Sequence, residues 1–347
     1  MMKNITIIGG GSLGHVIAGF LSAKGKAQVS ILTKRTHLWG KNIEVNTVDG
    51  QILKGIIHKI SSNPEDVIPE SDIVLLCLPG FMIRETLLQI KEYLQKRIFV
   101  GSVFSSTGFF FEAKELLGED AVLWGFQRVP FIARVYEYGK SANLLGYKPS
   151  YAIAIEHVGQ YEKENFRLLI EDWFERPTTL LSSYLEASLT NSNPILHTSR
   201  LYAIFKDWKP ETTYPRPILF YEEWDKESAE ILIKMDREFF QILSVLPVTP
   251  NYLPTILDYY ESKDAESLAR KFSSIQSFKG ILSPMKKNKD GWNPDFSSRY
   301  FTEDFPYGLR YIRELAHKYY VLVPIIDEVY EWGMNVIKSS ALYSDSI

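Results

Sequence analysis

The chain has 347 residues, enough for about two domains of ordinary size. Its 39 basic and 42 acidic residues give a net charge of −3, which excludes the basic surplus of a nucleic-acid binder. One cysteine, Cys77, excludes an intramolecular disulfide and points to a reducing, cytoplasmic setting. Glycine is unevenly placed: of 21, 17 lie in residues 1–183, and only Gly280, Gly291, Gly308 and Gly333 lie beyond. Aromatic residues run the other way, 20 in front and 27 behind. A turn-rich front and a helical back are expected, with the division at residue 183. No membrane span is expected, because Pro247, Pro250 and Pro254 interrupt the longest uncharged stretch, residues 241–257. The apolar run 5–8 is too short for the core of a secretory signal.

In chain order, residues 3–8 read as a buried strand, 13–23 as a helix and 27–33 as a second strand. Residues 71–78 (SDIVLLCL) form a continuous apolar run, as a parallel strand buried on both faces requires. A helix over 82–94 follows. Strands at 98–103, 121–126 and 151–155, a helix at 163–174 and a short strand at 178–181 complete the front. Strands alternating with helices predict a doubly wound, Rossmann-type parallel sheet over 1–183. Over 184–347 the pattern is α-helical, with helices expected at 228–246, 265–272 and 307–333. The apolar stripe in 319–329 reads either as core or as the surface of a homodimer.

Gly9-x-Gly11-x-x-Gly14 joins the first strand to the first helix. Such a turn brings backbone close to a pyrophosphate and aims helix N–H groups at it. Gly9, Gly11, Ser12, Leu13 and Gly14 are therefore candidate dinucleotide contacts, and Leu78, Pro79 and Gly80 join them at the end of a later strand. Dinucleotide enzymes that prefer NAD(H) place an acidic residue about 20 positions on, against the adenosine ribose. Here that position is Thr33, followed by Lys34 and Arg35, which attract a 2′-phosphate. NADP(H) is favoured and NAD(H) stays open.

His197 stands out among six histidines because Asn193-Pro194 marks a helix start, and Asn193 and His197 are then one turn apart on one face. Farther on, Arg299 and the pair Glu303-Asp304 precede Pro306-x-Gly308. These residues read as a helix cap with an ion pair, or as a carboxylate that orients a histidine beside an arginine that grips a substrate carboxylate. The histidines and the lone cysteine have no metal-ligand spacing.

Together these segments resemble the octopine/nopaline (opine) dehydrogenase family over nearly the whole chain. The resemblance rests on the glycine loop, Asn193-Pro194-x-x-His197, Arg299-x-x-x-Glu303-Asp304-x-Pro306-x-Gly308-Leu309 and the segment Arg128-Val129-Pro130-Phe131-Ile132-Ala133-Arg134. It implies a catalytic dyad of His197 and Asp304. It implies reductive condensation of an amino acid with a 2-oxo acid, usually pyruvate, through an imine. Arg299, Asn193, Gln127 and Arg134 are candidate substrate contacts. The pattern departs from the family at Ser105-Ser106-Thr107-Gly108, which is less glycine-rich, and in the aromatic stretch holding Trp208, Tyr214, Tyr221, Trp224 and Trp292. Two other readings stay open, a simple hydroxy- or keto-acid reductase and a dinucleotide-binding protein without turnover. The expected partners are small molecules, with no nucleic acid and no membrane.

Overall fold

The computed structural model describes residues 2–344, with side chains through residue 340. The chain forms two units, Met1–Thr190 and Asn191–Ile347. In order, the first contains β1 (Lys3–Ile8), α1 (Ser12–Ala23), β2 (Ala27–Leu32), β3 (Asn42–Asn46), β4 (Ile52–Ile56), β5 (Lys59–Ser61) and β6 (Ile73–Leu76). It continues through α2 (Gly80–Ile90), β7 (Phe99–Ser102), α3 (Phe109–Leu117), β8 (Val122–Phe126), β9 (Phe131–Glu137), β10 (Ser141–Tyr147), β11 (Tyr151–Glu156), α4 (Gln160–Phe174), β12 (Thr178–Leu180) and α5 (Tyr184–Leu189).

Eight strands form the main sheet in the order β12-β11-β8-β7-β6-β1-β2-β5. β1 pairs in parallel with β2 on one side and β6 on the other, so Ile5 lies between Val29 and Ile73. The strand order changes direction beside β1, which is where a doubly wound sheet opens a crevice at its strand ends. Ile73, Val74, Leu75 and Leu76 are buried on both faces, as their unbroken apolar run predicts.

The sheet is not parallel throughout. β11 runs antiparallel to β8, because the chain between them makes the β9–β10 hairpin instead of a helical crossover. That hairpin joins β3 and β4 in a second sheet, order β4-β3-β10-β9, which the sequence reading did not anticipate. Its strands alternate buried and exposed residues and carry no long apolar run. The first unit also extends past the expected division at 183. Ala187 of α5 belongs to its core, and Ser106 donates a hydrogen bond to the Ala187 carbonyl.

The second unit holds α6 (Asn193–Phe205), α7 (Lys226–Val245), α8 (Ile256–Tyr259), α9 (Ala265–Ser274), a small β13 (Met285–Lys287) and β14 (Trp292–Pro294) pair, and α10 (Arg299–Thr302). A π-helical turn over Phe305–Leu309 leads into α11 (Arg310–Lys318), and α12 (Pro324–Ser344) ends it. α7 and α9 begin where Asp225 and Asp264 accept hydrogen bonds from the first-turn N–H groups of Ser228 and Ser267. The single helix expected over 307–333 is broken. Pro324 disfavours helix in the residue before it, and Tyr320 takes a left-handed conformation with φ of 58°. Both Glu238 oxygens then cap α12, accepting from the Ile325 and Ile326 N–H groups at 2.9 Å. The stripe over 319–329 divides at this break: Val323, Ile326 and Val329 are core, whereas Tyr320 and Leu322 are exposed. Among the described residues no helix is long and apolar enough to cross a membrane.

Candidate functional site

The β1–α1 turn is closed behind and open in front. A Cβ on Gly14 would lie 2.0 Å from the Gly9 carbonyl oxygen, so only glycine lets α1 seat this close to the strand. A Cβ on Gly11 would meet nothing within 4 Å. That open side faces a cavity of about 400 Å³ at the ends of β1, β2 and β6, lined by Gly9, Gly11, Thr33, Lys34, Arg35, Leu78 and Pro79 among others. Of the remaining candidates in this unit, Ser12 accepts a hydrogen bond from the Val135 N–H at 3.1 Å, and Leu13 packs against the core. Gly14 lies under the turn, and Gly80 is buried as the first residue of α2. Thr33 turns its hydroxyl back to accept from the Arg35 N–H at 3.3 Å. Lys34 lies 3.8 Å from Glu85 across the cavity mouth. The open glycine turn and the cavity beyond it fit a dinucleotide. Tyr138 and Met82 also line this cavity, and neither stood out in the sequence.

Other polar groups make bonds inside the unit. Ser105 is buried and donates to the Phe126 carbonyl at 2.8 Å, and Thr107 donates to the Phe104 carbonyl at 2.9 Å. Gln127 donates to the Thr190 hydroxyl at 2.9 Å. Arg134, exposed on β9, donates to the Ala133 carbonyl at 2.9 Å.

In the second unit, α6 and the π-helical turn bring two distant segments together. A Cβ on Gly308 would lie 2.6 Å from Cγ of Pro194, so glycine at 308 permits the turn to lie on the start of α6. Asp304 immediately precedes that turn, and His197 lies one helical turn beyond Asn193. The result is a hydrogen bond of 2.9 Å between His197 Nδ1 and Asp304 Oδ2. A carboxylate only accepts, so Nδ1 carries a proton, which in the neutral ring leaves the lone pair on Nε2. Nε2 lies 3.2 Å from the Tyr221 hydroxyl, which donates to it when the ring is neutral.

Aromatic rings surround the imidazole. Tyr300 lies 4.7 Å from it between ring centroids, and Phe220 meets it edge-on at 5.5 Å. His197 itself is only 9% exposed. Tyr221 stacks on Phe278 at 4.1 Å, which fixes its hydroxyl in place. Burial first, then the neighbouring Tyr300, Tyr260 and Asp304, push the Tyr221 phenol above its ordinary pKa, so it stays a donor. Tyr300 is raised in the same way, by burial and then by Asp304.

Arg200, three residues beyond His197 and 1% exposed, holds the chain that carries Tyr221. It donates to the Phe220 carbonyl at 3.0 Å and to the Glu223 carbonyl at 2.7 Å. Burial lowers its pKa to about 10. The sequence reading names Tyr221 only as one of the aromatics between the two motifs, and Arg200, a charged residue on the buried face of α6, not at all. Asn193 and Arg299 are exposed, and the imidazole bonds to Asp304 and Tyr221 instead.

A Rossmann-type unit with an open glycine cradle, followed by a helical unit with a buried imidazole–carboxylate pair, is the make-up of a two-domain nicotinamide-dependent dehydrogenase. Residues 180–337 match the family described as NAD/NADP octopine/nopaline dehydrogenase, alpha-helical domain. Residues 4–119 match the N-terminus of NAD-dependent glycerol-3-phosphate dehydrogenase. Tauropine dehydrogenase of Arabella iricolor is 27% identical, the alignment covering 97% of this chain and 92% of that protein. The structure of an octopine dehydrogenase with NADH and L-arginine superposes with a TM-score of 0.83 at 23% identity, covering 97% of this chain and 90% of that one. A yersinopine dehydrogenase bound to NADP+ gives a TM-score of 0.72 at 14% identity, covering 97% and 91%. Residues 180–337 thus carry the helical domain of octopine/nopaline dehydrogenases behind a nicotinamide-dinucleotide domain, and the chain is an NAD(P)-dependent oxidoreductase similar to opine dehydrogenases over nearly its whole length.

Proposed function

We propose that this enzyme joins the amino group of an amino acid to a 2-oxo acid, with His197 and Asp304 managing the protons and NADPH preferred over NADH. The observation that carries the reading is the hydrogen-bonded row Asp304–His197–Tyr221, with Nε2 of His197 held as a proton acceptor.

Imidazole suits this chemistry because it exchanges protons near neutral pH. His197 takes a proton from the substrate ammonium, freeing an amine lone pair to attack the oxo-acid carbonyl. The C–N bond forms, the carbonyl π electrons move to oxygen, and a proton passes from the attacking nitrogen to that oxygen to give a hydroxyl. His197 then returns its proton to the resulting hydroxyl, which leaves as water and gives the imine. Asp304 keeps Nδ1 protonated throughout, so Nε2 is the atom that changes state. Tyr221 matches both states, since its hydroxyl donates to neutral Nε2 and accepts from protonated Nε2. When bound, the reduced nicotinamide supplies the hydride for the imine carbon.

Arg299 and Arg134 are exposed and able to pair with substrate carboxylates. Asn193 stands one helical turn from His197, and Gln127 has its amide oxygen available as an acceptor while its nitrogen holds Thr190. Preference for NADPH is supported by Thr33-Lys34-Arg35 along the cavity and by the absence of a carboxylate at position 33.

The test is oxidation of NADPH by purified enzyme with pyruvate and a panel of amino acids. Oxidation that needs both co-substrates supports the reading. Oxidation with the oxo acid alone would make the enzyme a simple keto-acid reductase. The ratio of kcat/KM for NADPH and NADH checks the cofactor preference, and a ratio below one overturns it.

A further inference from the structure

The cofactor cavity has a wall that does not come from the glycine loop or from β2. It is Tyr138, at the tip of the β9–β10 hairpin. Four separate ties hold that tip in place, against the glycine loop and against residues 38–40. His15, the residue after Gly14, is fully buried and spans the gap with both ring nitrogens. The Gly139 N–H donates to Nε2 at 2.7 Å, so the ring proton sits on Nδ1, which donates to the Gly11 carbonyl at 3.0 Å. The Gly139 carbonyl in turn accepts from the Gly40 N–H at 3.1 Å. Gly139 has φ of 74°, and a Cβ there would lie 2.0 Å from the Leu38 carbonyl oxygen, so no other residue fits. Finally, the His15 ring packs between Trp39, at 4.2 Å, and the edge of Tyr138, at 5.0 Å.

These ties leave the Tyr138 side chain little freedom. Its hydroxyl lies where a Cβ on Gly10 would approach to 2.3 Å. Its ring lies beneath the Arg35 guanidinium, 5.6 Å from the centroid, within cation–π range. The two basic residues are therefore handled differently. Lys34 is drawn to the Glu85 carboxylate, which competes with any anion. Arg35 rests on a ring face, which steers the guanidinium plane and leaves its N–H donors for an anion.

We propose that Tyr138 is a specificity-determining residue of the adenosine pocket: pinned by His15, it holds Arg35 in the orientation that receives a 2′-phosphate. His15 is the positioning residue and acts only through the hairpin tip. The proposal rests on the NADPH preference given above, and the experiment separates the two.

Calorimetric titration of the full chain with 2′,5′-ADP and with 5′-AMP isolates the contribution of the 2′-phosphate without turnover. The wild-type protein is expected to favour 2′,5′-ADP; if it does not, the NADPH preference itself is wrong. Given that preference, Tyr138→Leu is expected to reduce the ratio of the two affinities by about three- to fivefold. Tyr138→Phe, which keeps the ring, is expected to restore it to within roughly twofold of wild type. His15→Ala is expected to reduce the ratio like Tyr138→Leu, and the double variant to do no worse than either single change. An unchanged ratio in Tyr138→Leu overturns the proposal, as does an equal loss for both ligands. Tyr138 is only partly buried, so its two variants carry the test even if removal of the buried His15 ring prevents folding.

Discussion

Replacing Asp304 by asparagine tests the proton chemistry with the smallest change of shape. The wild-type carboxylate meets Nδ1 at 2.9 Å, and the two side chains are only 11% and 17% exposed, so little water screens them. A hydrogen bond to a charged group in such a place contributes about 1.5–3 kcal/mol. If that stabilisation is made in the rate-limiting proton transfer, its loss lowers kcat by about 10- to 150-fold, at 1.36 kcal/mol per tenfold. The amide adds a second effect. When it offers its N–H2 to Nδ1, the ring proton must move to Nε2, and the lone pair proposed to receive the substrate proton is lost. The assay is steady-state kcat with both co-substrates saturating, beside calorimetric binding of 2′,5′-ADP. Nucleotide binding is expected to be unchanged, since the cradle lies in the first unit. A kcat within threefold of wild type, in a protein that melts normally, would refute the assignment of Asp304.

Tyr221→Phe removes the hydroxyl that lies 3.2 Å from Nε2 and is expected to lower kcat by about two- to twelvefold, the worth of a neutral hydrogen bond, with unchanged 2′,5′-ADP binding. Gly308→Ala drives a methyl group to 2.6 Å from Pro194, which costs about 1–3 kcal/mol. Thermal melting is expected to fall by several degrees, and kcat to fall with it, because this contact sets Asp304 against His197. Asp236 is raised from 3.8 to about 6, by burial first and then by Asp258, against the lowering effect of the Ile256 N–H. A raised carboxyl stabilises the folded protein fully below the unfolded pKa and loses that contribution as pH rises through the folded one. Melts of Asp236→Asn, whose amide oxygen still accepts from Ile256, are therefore expected to show a gain of about 1–2 kcal/mol at neutral pH. That figure allows for the partial exposure of the group, and the gain is expected to shrink between about pH 6 and pH 4.

What could be read from sequence was what is local. The Gly9-x-Gly11-x-x-Gly14 turn, its flanking strand and helix, and Thr33-Lys34-Arg35 all lie within one strand–helix–strand unit, where spacing alone places them on one cavity. Tyr138 lines that same cavity but arrives more than a hundred positions later, on a hairpin whose half-exposed strands carry no apolar run. The dyad is a different case. His197 and Asp304 are 107 residues apart, and no periodicity links them. Asn193-Pro194 and Pro306-x-Gly308 were legible as a helix start and a turn, yet their meaning is steric: Gly308 is small so that Pro194 can lie against it. That packing is the physical content of the family pattern, and it explains why a resemblance found the pair when composition did not. Tyr221 is visible only as one aromatic in the stretch between the two motifs, with nothing to tie it to His197. Its hydroxyl is aimed at Nε2 by a stacked Phe278 and by Arg200, which grips the backbone on both sides of it, at Phe220 and Glu223. Each of those residues reads as ordinary core or as an isolated charge. The acceptor nitrogen of the dyad is therefore set by tertiary packing, and variants of Arg200 are expected to disturb turnover without touching any substrate.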